Sequence, residues 1–422
     1  MRRSVFPLLA TAALALSASA EDWNFIRGPH GDGSSKESLP KSWPASGPKV
    51  LWRVASPNGF SSFVVGGGRA FTLEQRDVEG TPQEVLVARN ADSGAEIWVQ
   101  PLGAAKYDGG GDSGTSSNKG GDGPRSSPTL DGGRVFVTSG KLVVSCFDSK
   151  TGDLVWRHDL MKEFAGRNIS WQNAAAPVVE GDLVLVAGGG PGESLVAFNK
   201  KDGKVAWKAF DETMTHATPT PATLHGQRQV IFFLKSGLLA VEPRSGKELW
   251  RFAFPFKVST AASPVVDGDL VYCSAGYGVG AAACRVSKSG DTWKAEPVYR
   301  FEGNNPLANH WSSPVLHEGH LYGMFQFKEY GSGPVKCVEI GTGKVKWEQA
   351  GYGPGQVIKV GSGILALGDA GQLVLIAPTP TGYQEMARAQ VLDGKCWTTP
   401  VLSNGRVYAR STKEAVCLSF EK

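Results

Sequence analysis

Aromatic, imidazole and cationic side chains recur at one kind of place in the sequence, just before short apolar segments that mostly contain a proline. Aromatic rings accompanied by two imidazoles and two cations could hold a planar or anionic ligand. The same side chains could instead fill an interior channel and satisfy loop backbone groups. The candidate binding residues are Arg125, Trp171, Gln172, Asn173, His216, Asn309, His310, Trp311, Lys395 and Trp397.

No catalytic residue stands out in the sequence. The chain has no Gly-x-Ser-x-Gly elbow, and it has no Cys-x-x-Cys or paired-histidine spacing of the kind that binds zinc, so we expect no metal. The Gly-rich stretch 103–125 precedes a strand pattern, so it lacks the helix N-terminus of a phosphate-binding loop. Its Asp108, Asp112 and Asp122 could bind Ca²⁺ but do not match an EF-hand, and we favour a solvated loop.

Six cysteines could form a redox or metal set, but most of them follow the repeat described below. Cys146, Cys284, Cys337 and Cys417 occupy the place that Ala197 and Ala240 occupy in other repeats, which predicts a small buried strand residue. An oxidising compartment would also permit disulfides. Their pairing is left open among Cys273, Cys284, Cys396 and Cys417.

An acidic or amide residue, a glycine-containing turn and then a tryptophan recur along the chain, as in Asp148, Gly152 and Trp156. A period of this length indicates a repeat architecture. The turn accepts the positive φ of a tight hairpin, and the tryptophan then packs between neighbouring sheets. The tryptophans predicted to dock in this way are Trp52, Trp98, Trp156, Trp207, Trp250, Trp293 and Trp347.

A second signature begins each unit with a small residue, a proline, two apolar residues, a glycine turn and an alternating strand, as at Pro128 and Pro177. Eight units follow one another at spacings of mostly about 43 to 50 residues, the length of a four-stranded blade. The fold class is therefore all-β, an eight-bladed β-propeller with Trp-docking repeats. The last unit lacks its tryptophan strand, so we expect the N-terminal strand at Lys49 to Trp52 to close the ring and cover both sheet edges.

The start of the chain has the features of an export signal. Arg2 and Arg3 precede an apolar run, and Ala18, Ser19 and Ala20 offer small residues for cleavage before Glu21. We expect a signal peptide at 1–20, a lead-in segment at 21–48 and a single propeller at 49–422, exported to the periplasm or secreted. The formal net charge of +4 is too small to indicate nucleic acid as a partner, so we expect none. No later stretch is long and apolar enough to span a membrane. We expect a monomer.

These repeats resemble the pyrroloquinoline-quinone (PQQ) type repeat of quinoprotein alcohol dehydrogenases and of the outer-membrane protein assembly lipoprotein. The stretch from Arg27 to Gly33 (Arg-Gly-Pro-His-Gly-Asp-Gly) is similar to secreted propellers of planctomycete- and verrucomicrobia-type bacteria. The stretches Gly123–Pro128 and Gly394–Pro400 support the same resemblance. It implies the eight-bladed fold over essentially the whole chain, whereas members of this fold include both enzymes and binding scaffolds.

Our first hypothesis is a non-catalytic exported propeller that binds a protein partner or a small ligand where the candidate residues converge, with no cofactor. The alternative is a dehydrogenase of alcohols or sugars that uses PQQ and Ca²⁺. The resemblance implies an adjacent Cys-Cys pair and a longer chain for such enzymes, and this sequence has neither. A third hypothesis is a lectin-like protein that binds polysaccharide through exposed tryptophans.

Overall fold

The computed structural model describes residues 20–105, 123–258, 260–325 and 333–420. Most of the expected signal peptide, the aspartates 108, 112 and 122, and the centre of the stretch 103–125 lie outside these residues. Two strands precede the first complete sheet: β1 is Ser34–Ser35 and β2 is Lys49–Ala55.

The strands of blades 1 to 4 follow in chain order. Blade 1 contains β3 (Val64–Gly66), β4 (Arg69–Val78), β5 (Thr81–Asn90) and β6 (Glu96–Ala104). Blade 2 contains β7 (Thr129–Asp131), β8 (Arg134–Thr138), β9 (Val143–Asp148) and β10 (Leu154–Asp159), followed by the short helix α1 (Leu160–Glu163). Blade 3 contains β11 (Val178–Glu180), β12 (Leu183–Ala187), β13 (Leu195–Asn199) and β14 (Val205–Ala209). Blade 4 contains β15 (Thr220–Leu224), β16 (Gln227–Leu234), β17 (Gly237–Val241) and β18 (Glu248–Ala253).

Blades 5 to 8 complete the ring. Blade 5 contains β19 (Val265–Asp267), β20 (Leu270–Ala275), β21 (Gly280–Ser289) and β22 (Thr292–Glu302). Blade 6 contains β23 (Val315–His317), β24 (His320–Met324), β25 (Val335–Glu339) and β26 (Lys344–Gln349). Blade 7 contains β27 (Gln356–Val360), β28 (Gly363–Leu367), β29 (Gln372–Ile376) and β30 (Glu385–Gln390), with β1 added in parallel to β27, and blade 8 contains β31 (Val401–Ser403), β32 (Arg406–Arg410), β33 (Glu414–Ser419) and the N-terminal strand β2.

The predicted all-β, eight-bladed propeller is therefore confirmed, and so is closure of the ring by the N-terminal strand. Strand β2 pairs antiparallel with β33, and Trp52 lies opposite Cys417. The apolar core consists of clusters that each fill the space between neighbouring sheets, such as Phe136 and Trp156 of blade 2 with Phe198 of blade 3. Contacts between the innermost strands, including β31 with β3 and β3 with β7, join neighbouring blades.

Six of the predicted docking tryptophans occupy equivalent positions. Trp52, Trp98, Trp156, Trp207, Trp250 and Trp347 each follow a bulge in the outermost strand and lie opposite an alanine or a cysteine of the neighbouring strand. Trp52, Trp156 and Trp250 are buried, and the other three are half-buried.

The docking contact reaches into the next blade. The indole Nε1 of Trp52 donates to the carbonyl oxygen of Ala91 at 2.9 Å, and a Cβ atom at Gly94 would lie only 2.7 Å from the Trp52 ring. Trp156, Trp207 and Trp347 donate in the same way to turn carbonyls of the following blade. Each turn glycine therefore provides both a left-handed φ and the space for a ring.

Trp293 does not occupy this position, so its prediction as a docking tryptophan is wrong. It pairs with Lys288 near the tip of the long β21–β22 hairpin, whereas Tyr299 follows the bulge of blade 5 and lies opposite Ala283. The spacing explains the error. Trp293 stands three residues after Gly290, whereas Trp156 stands four residues after Gly152. A shift of one residue moves a side chain to the opposite face of a strand.

All six cysteines are buried and have free thiols. Cys146, Cys337 and Cys417 lie directly opposite Trp156, Trp347 and Trp52, which confirms the prediction of a small buried strand residue at the repeated position. Cys284 is also a buried strand residue, but in blade 5 the repeated position is occupied by Ala283. Burial raises the pKa of Cys417 to about 12, so this thiol is protonated at neutral pH.

The lead-in segment crosses the face at which the innermost strands end, which we call the far face. The carbonyl oxygens of Trp23 and Asn24 accept hydrogen bonds from Val65 in blade 1 and Leu130 in blade 2. Gly31 lies against blade 4, the Arg27 guanidinium donates to Ser313 and Pro314 of blade 6, and β1 pairs with blade 7. Residues 27–33 therefore enter the central channel and reach the starts of the innermost strands of blades 4 and 6.

Candidate functional site

The innermost strands all begin at the opposite face, which we call the funnel face. Hydroxyl groups just before these strands connect adjacent blades there. The backbone N–H of Thr399 donates to Ser62 Oγ at 2.8 Å, and the N–H of Ser62 donates to Ser127 Oγ at 2.9 Å. Similar bonds join blade 3 to blade 4 and blade 5 to blade 6. The candidate residues are therefore presented on a rim in which several neighbouring blades are joined by hydrogen bonds.

A chain of ring contacts runs along this rim. The ring centroids of Phe60 and Trp397 are 5.0 Å apart, and those of Trp397 and Trp311 are 4.5 Å apart. Trp311 contacts His310 at 5.5 Å, and His310 meets Tyr277 edge-on at 4.6 Å. Three of the predicted residues thus lie together, although they come from two different blades.

The two candidate histidines are neutral at physiological pH. Burial lowers the pKa of His216 to about 4, and the nearby Arg125 charge adds to this effect. Burial also lowers the pKa of His310 to about 3, with a further contribution from His216. His216 Nε2 lies 3.0 Å from the carbonyl oxygen of Ser170. Neutral imidazoles can act as hydrogen-bond donors and acceptors but supply no charge for an anionic ligand.

The two candidate cations lie against aromatic rings. The Lys395 ammonium is 4.5 Å from the centroid of Trp397, and the Arg125 guanidinium is 6.0 Å from the centroid of Phe60. The indole Nε1 of Trp397 donates to Asp369 Oδ1 at 2.6 Å. Burial raises the pKa of Asp369, although Trp397 and Lys395 oppose this shift. Lys395, Trp397 and Asp369 therefore form a polar group beside the aromatic rings.

Three of the predicted amide residues support loops. Asn173 is buried and its amide donates to the carbonyl oxygens of Thr138 and Ala175. Gln172 is also buried, and its Oε1 accepts from Asn168 Nδ2 at 2.7 Å. Asn309 is buried and donates through its side chain to the carbonyl oxygen of Ser312. These contacts shape the rim and leave little of the three side chains exposed.

Trp171 differs from the other candidates because it points outward. Its side chain is 41% exposed, and its backbone adopts a left-handed φ of 64°. Tyr277, in the β20–β21 turn of blade 5, shares both properties, with 47% exposure and a φ of 55°. A left-handed backbone is strained for bulky residues, and such strain is one of the features that cluster at functional sites.

Phe60, Tyr277 and Asp369 belong to the site but were missed by the sequence analysis. Phe60 precedes the innermost strand of blade 1, as the predicted residues precede theirs, but that strand begins without a proline. Tyr277 and Asp369 lie in turns between the second and third strands of their blades. These turns also reach the funnel face, and a search that included them would have found both residues.

Within the described ranges, no cluster of three or more His, Cys, Asp or Glu side chains could hold a metal ion. Over those same ranges, no helix has the length and apolar character needed to cross a membrane.

Comparison with known proteins gives matches in both sequence and structure. The family model of the outer membrane protein assembly factor BamB matches residues 82–323. The BamB of Shewanella oneidensis is 24% identical over 260 residues, which cover 59% of this chain and 62% of that protein. The chain therefore spans less than two thirds of the length of this curated relative.

Solved structures show the same fold. BamB from Moraxella catarrhalis superposes with a TM-score of 0.61 at 15% identity, over 88% of this chain and 98% of that chain. Quinohemoprotein alcohol dehydrogenase from Comamonas testosteroni also gives a TM-score of 0.61, at 13% identity, over 95% of this chain and 81% of that chain. At such low identity, these likenesses concern the fold alone.

Proposed function

The chain belongs to the family of the outer membrane protein assembly factor BamB, and on this basis we propose that it is an exported, non-catalytic propeller that binds a protein partner at its funnel face. In this proposal, residues 1–20 are a signal peptide, 21–48 the lead-in and 49–422 a single propeller. The partner would belong to outer membrane protein assembly, as the name of the relative indicates.

One observation carries the proposal of the funnel face: it presents two exposed aromatic side chains, Trp171 and Tyr277, on left-handed backbone. Exposed rings of this kind are typical anchors of protein interfaces, because they bury a large area at a low cost in side-chain entropy. The ring of Tyr277 contacts the ring of His310 edge-on, and this contact supports the ring of Tyr277 on one side. Elsewhere on the rim, Arg125 and Lys395 favour a partner that carries carboxylates.

The lead-in segment supports the choice of face. Trp23 and Asn24 bind the innermost strands of blades 1 and 2, and β1 pairs with the end of β27, so the far end of the channel is occupied by the chain itself. At the funnel face, Trp311 and Trp397 pack on each other at 4.5 Å. The channel mouth thus presents a packed surface bordered by aromatic and charged groups, which suits a macromolecular partner.

The quinoprotein alternative requires a site for planar PQQ and for Ca²⁺, and the rim residues do not fit either group in this arrangement. A ring between two tryptophans needs about 7 Å between them, twice a van der Waals contact, whereas Trp311 and Trp397 are 4.5 Å apart. Ca²⁺ takes six to eight oxygen ligands. The Asp369 carboxylate instead accepts a hydrogen bond from Trp397 and faces Lys395.

Site-specific photo-crosslinking in the exporting cell tests the proposal. A photoreactive amino acid at position 171 or 277 should give a discrete protein adduct. The control places the same photoreactive amino acid at position 154, because Leu154 is 50% exposed on an outermost strand, and this variant should give no adduct. Identification of the adduct as an outer membrane assembly protein would support the partner class. Adducts at 154 alone would contradict the funnel face. Alcohol- or sugar-dependent dye reduction after addition of PQQ and Ca²⁺ would contradict the non-catalytic role.

A further inference from the structure

Glu37 is a buried carboxylate in the lead-in segment that accepts three backbone hydrogen bonds. Its Oε1 accepts from the N–H of Asn404 at 2.9 Å, and its Oε2 accepts from the N–H of Gly405 at 2.6 Å. The third donor is the backbone nitrogen of Glu21, 2.8 Å from Oε1. Glu37 is only 5% exposed. Its carboxylate thus joins the start of the lead-in to the first turn of blade 8.

No basic side chain pairs with Glu37 among the residues that the structure describes. A buried carboxylate usually has a cationic partner, because hydrogen bonds alone compensate only part of the cost of removing a charge from water. The nitrogen that already lies at hydrogen-bond distance is that of Glu21, and Glu21 is the residue that follows the expected cleavage site Ala18-Ser19-Ala20. Ala20 itself is exposed.

We propose that cleavage between Ala20 and Glu21 creates an α-ammonium group that forms an ion pair with Glu37 and fastens the lead-in segment across the seam of the ring. A signal peptidase would add water across the Ala20–Glu21 peptide bond. The leader departs with the new carboxylate of Ala20, and the nitrogen of Glu21 takes up a proton to become –NH₃⁺. The proposal concerns processing and stability, and it does not depend on the identity of any partner.

The surrounding contacts show what this ion pair would hold. The carbonyl oxygen of Glu21 accepts from Ser403 Oγ of blade 8 at 2.8 Å. Asp22 Oδ2 accepts from the N–H of Gly67 in blade 1 at 3.4 Å, and Asp22 Oδ1 lies 3.5 Å from Asn404 Nδ2. Blades 8 and 1 are the two blades that meet where the ring closes. The new N-terminus would therefore bridge the closing seam at the far face.

Other charges near the new N-terminus would act on it as well. The Glu21 carboxylate lies 3.2 Å from His30 Nε2 and accepts from the backbone N–H of Lys36 at 2.8 Å. The negative charges of Glu37, Glu21 and Asp22 favour the ammonium form, whereas the Lys36 ammonium and a protonated His30 oppose it. An ion pair with the buried Glu37 carboxylate would raise the pKa of the α-amino group in the folded state above its unfolded value of about 8.

The sign of the pH dependence follows from this shift. The stabilisation by the ion pair is fully present below the unfolded pKa and is lost as the pH rises through the higher folded pKa. It should therefore operate at pH 7 and be absent at pH 10.5.

The experiment compares two proteins that differ by one residue: 21–422, with Glu21 as its free N-terminus, and 20–422, which retains Ala20. Both keep the N–H of Glu21, so they differ in the position of the ammonium group. We expect 21–422 to melt about 2–5 °C higher at pH 7, and we expect this difference to vanish at pH 10.5 and in a Glu37→Gln background. N-terminal sequencing of the exported protein should give Glu21 as the first residue.

Three outcomes would overturn the proposal. The first is an exported protein that begins at another residue. The second is an equal melting temperature for 21–422 and 20–422 at pH 7. The third is a difference in melting temperature between 21–422 and 20–422 that persists at pH 10.5 or in the Glu37→Gln background. Such a difference would reflect the space taken by Ala20 and not the charge at Glu21. A partner that binds the funnel face, or the lack of one, affects none of these readings.

Discussion

Trp52 and Cys417 lie directly opposite each other in blade 8, although they come from opposite ends of the chain. The Trp52 ring also docks on Gly94 of blade 1 and donates to the carbonyl oxygen of Ala91. The N-terminal strand thus completes one sheet and packs against the next, so the two ends of the chain hold the ring closed.

Replacement of Trp52 by alanine should lower the free energy of unfolding by about 3–5 kcal/mol, because it removes a buried ring at the closing seam. Trp171→Ala is the matched control, since the same side chain is 41% exposed there and should cost less than about 1 kcal/mol. Urea unfolding measures both values. Equal losses for the two variants would contradict the role of Trp52 in closure.

In blade 5, Tyr299 should matter more for stability than Trp293. Tyr299 follows the bulge opposite Ala283, whereas Trp293 lies near the hairpin tip. We expect Tyr299→Ala to cost about 3 kcal/mol and Trp293→Ala about 1 kcal/mol or less in thermal unfolding. Tyr299→Phe should be nearly neutral, because its buried hydroxyl has no hydrogen-bond partner among the described residues. A larger loss for Trp293→Ala than for Tyr299→Ala would refute the assignment.

Trp43 of the lead-in segment should stabilise the seam between blades 7 and 8. Blade 7 carries Ala387 where most blades carry the docking tryptophan. Trp43 packs against the apolar cluster of blades 7 and 8, and its ring lies 5.0 Å from that of Phe420. Trp43→Ala should therefore lower the melting temperature, whereas Trp43→Phe should restore most of it. If Trp43→Ala melts like the wild type, the lead-in contributes nothing at this seam.

A buried charge cluster between blades 8 and 1 predicts a loss of stability in acid. Burial raises the pKa of Glu74, but the charges of Arg410, Arg76 and Arg89 outweigh this effect and hold the pKa below its ordinary value. A lowered folded pKa contributes stability above the unfolded pKa of about 4.3, and this stability is lost as the pH falls through the folded value.

Replacement of Glu74 by glutamine should accordingly destabilise the protein by about 3–5 kcal/mol at pH 7, because the buried Arg410 loses its counter-charge. The difference from the wild type should shrink as the pH falls below 4, which urea titrations at several pH values can measure. A difference that stays constant from pH 7 to pH 3 would show that Glu74 acts through its shape and hydrogen bonds and not through its charge.

The fold was predictable because its determinants repeat. A glycine turn followed four residues later by a tryptophan marks a docking contact, and Gly152 with Trp156 is one example. The same regularity gave a wrong prediction in blade 5, where the spacing between glycine and tryptophan is one residue shorter. Trp293 follows Gly290 by three positions and therefore does not lie on the docking face.

The site was predictable only in part. Trp311 and Trp397 were found because they precede innermost strands, whose starts must converge on the channel. Tyr277 and Asp369 were missed because they lie in turns whose residues do not recur between blades. The exposure of Trp171 depends on the conformation of a single loop, which no periodic pattern encodes.

The affinity of the partner identified by crosslinking tests the central claim most directly. The double variant Trp171→Ser, Tyr277→Ser should bind this partner at least about thirtyfold more weakly than the wild type, since exposed aromatic anchors usually contribute most of the binding free energy. Its melting temperature should be unchanged, and Leu154→Ser, at an exposed outermost-strand position, should bind like the wild type. Equal affinity for the double variant and the wild type would contradict the funnel face as the partner surface.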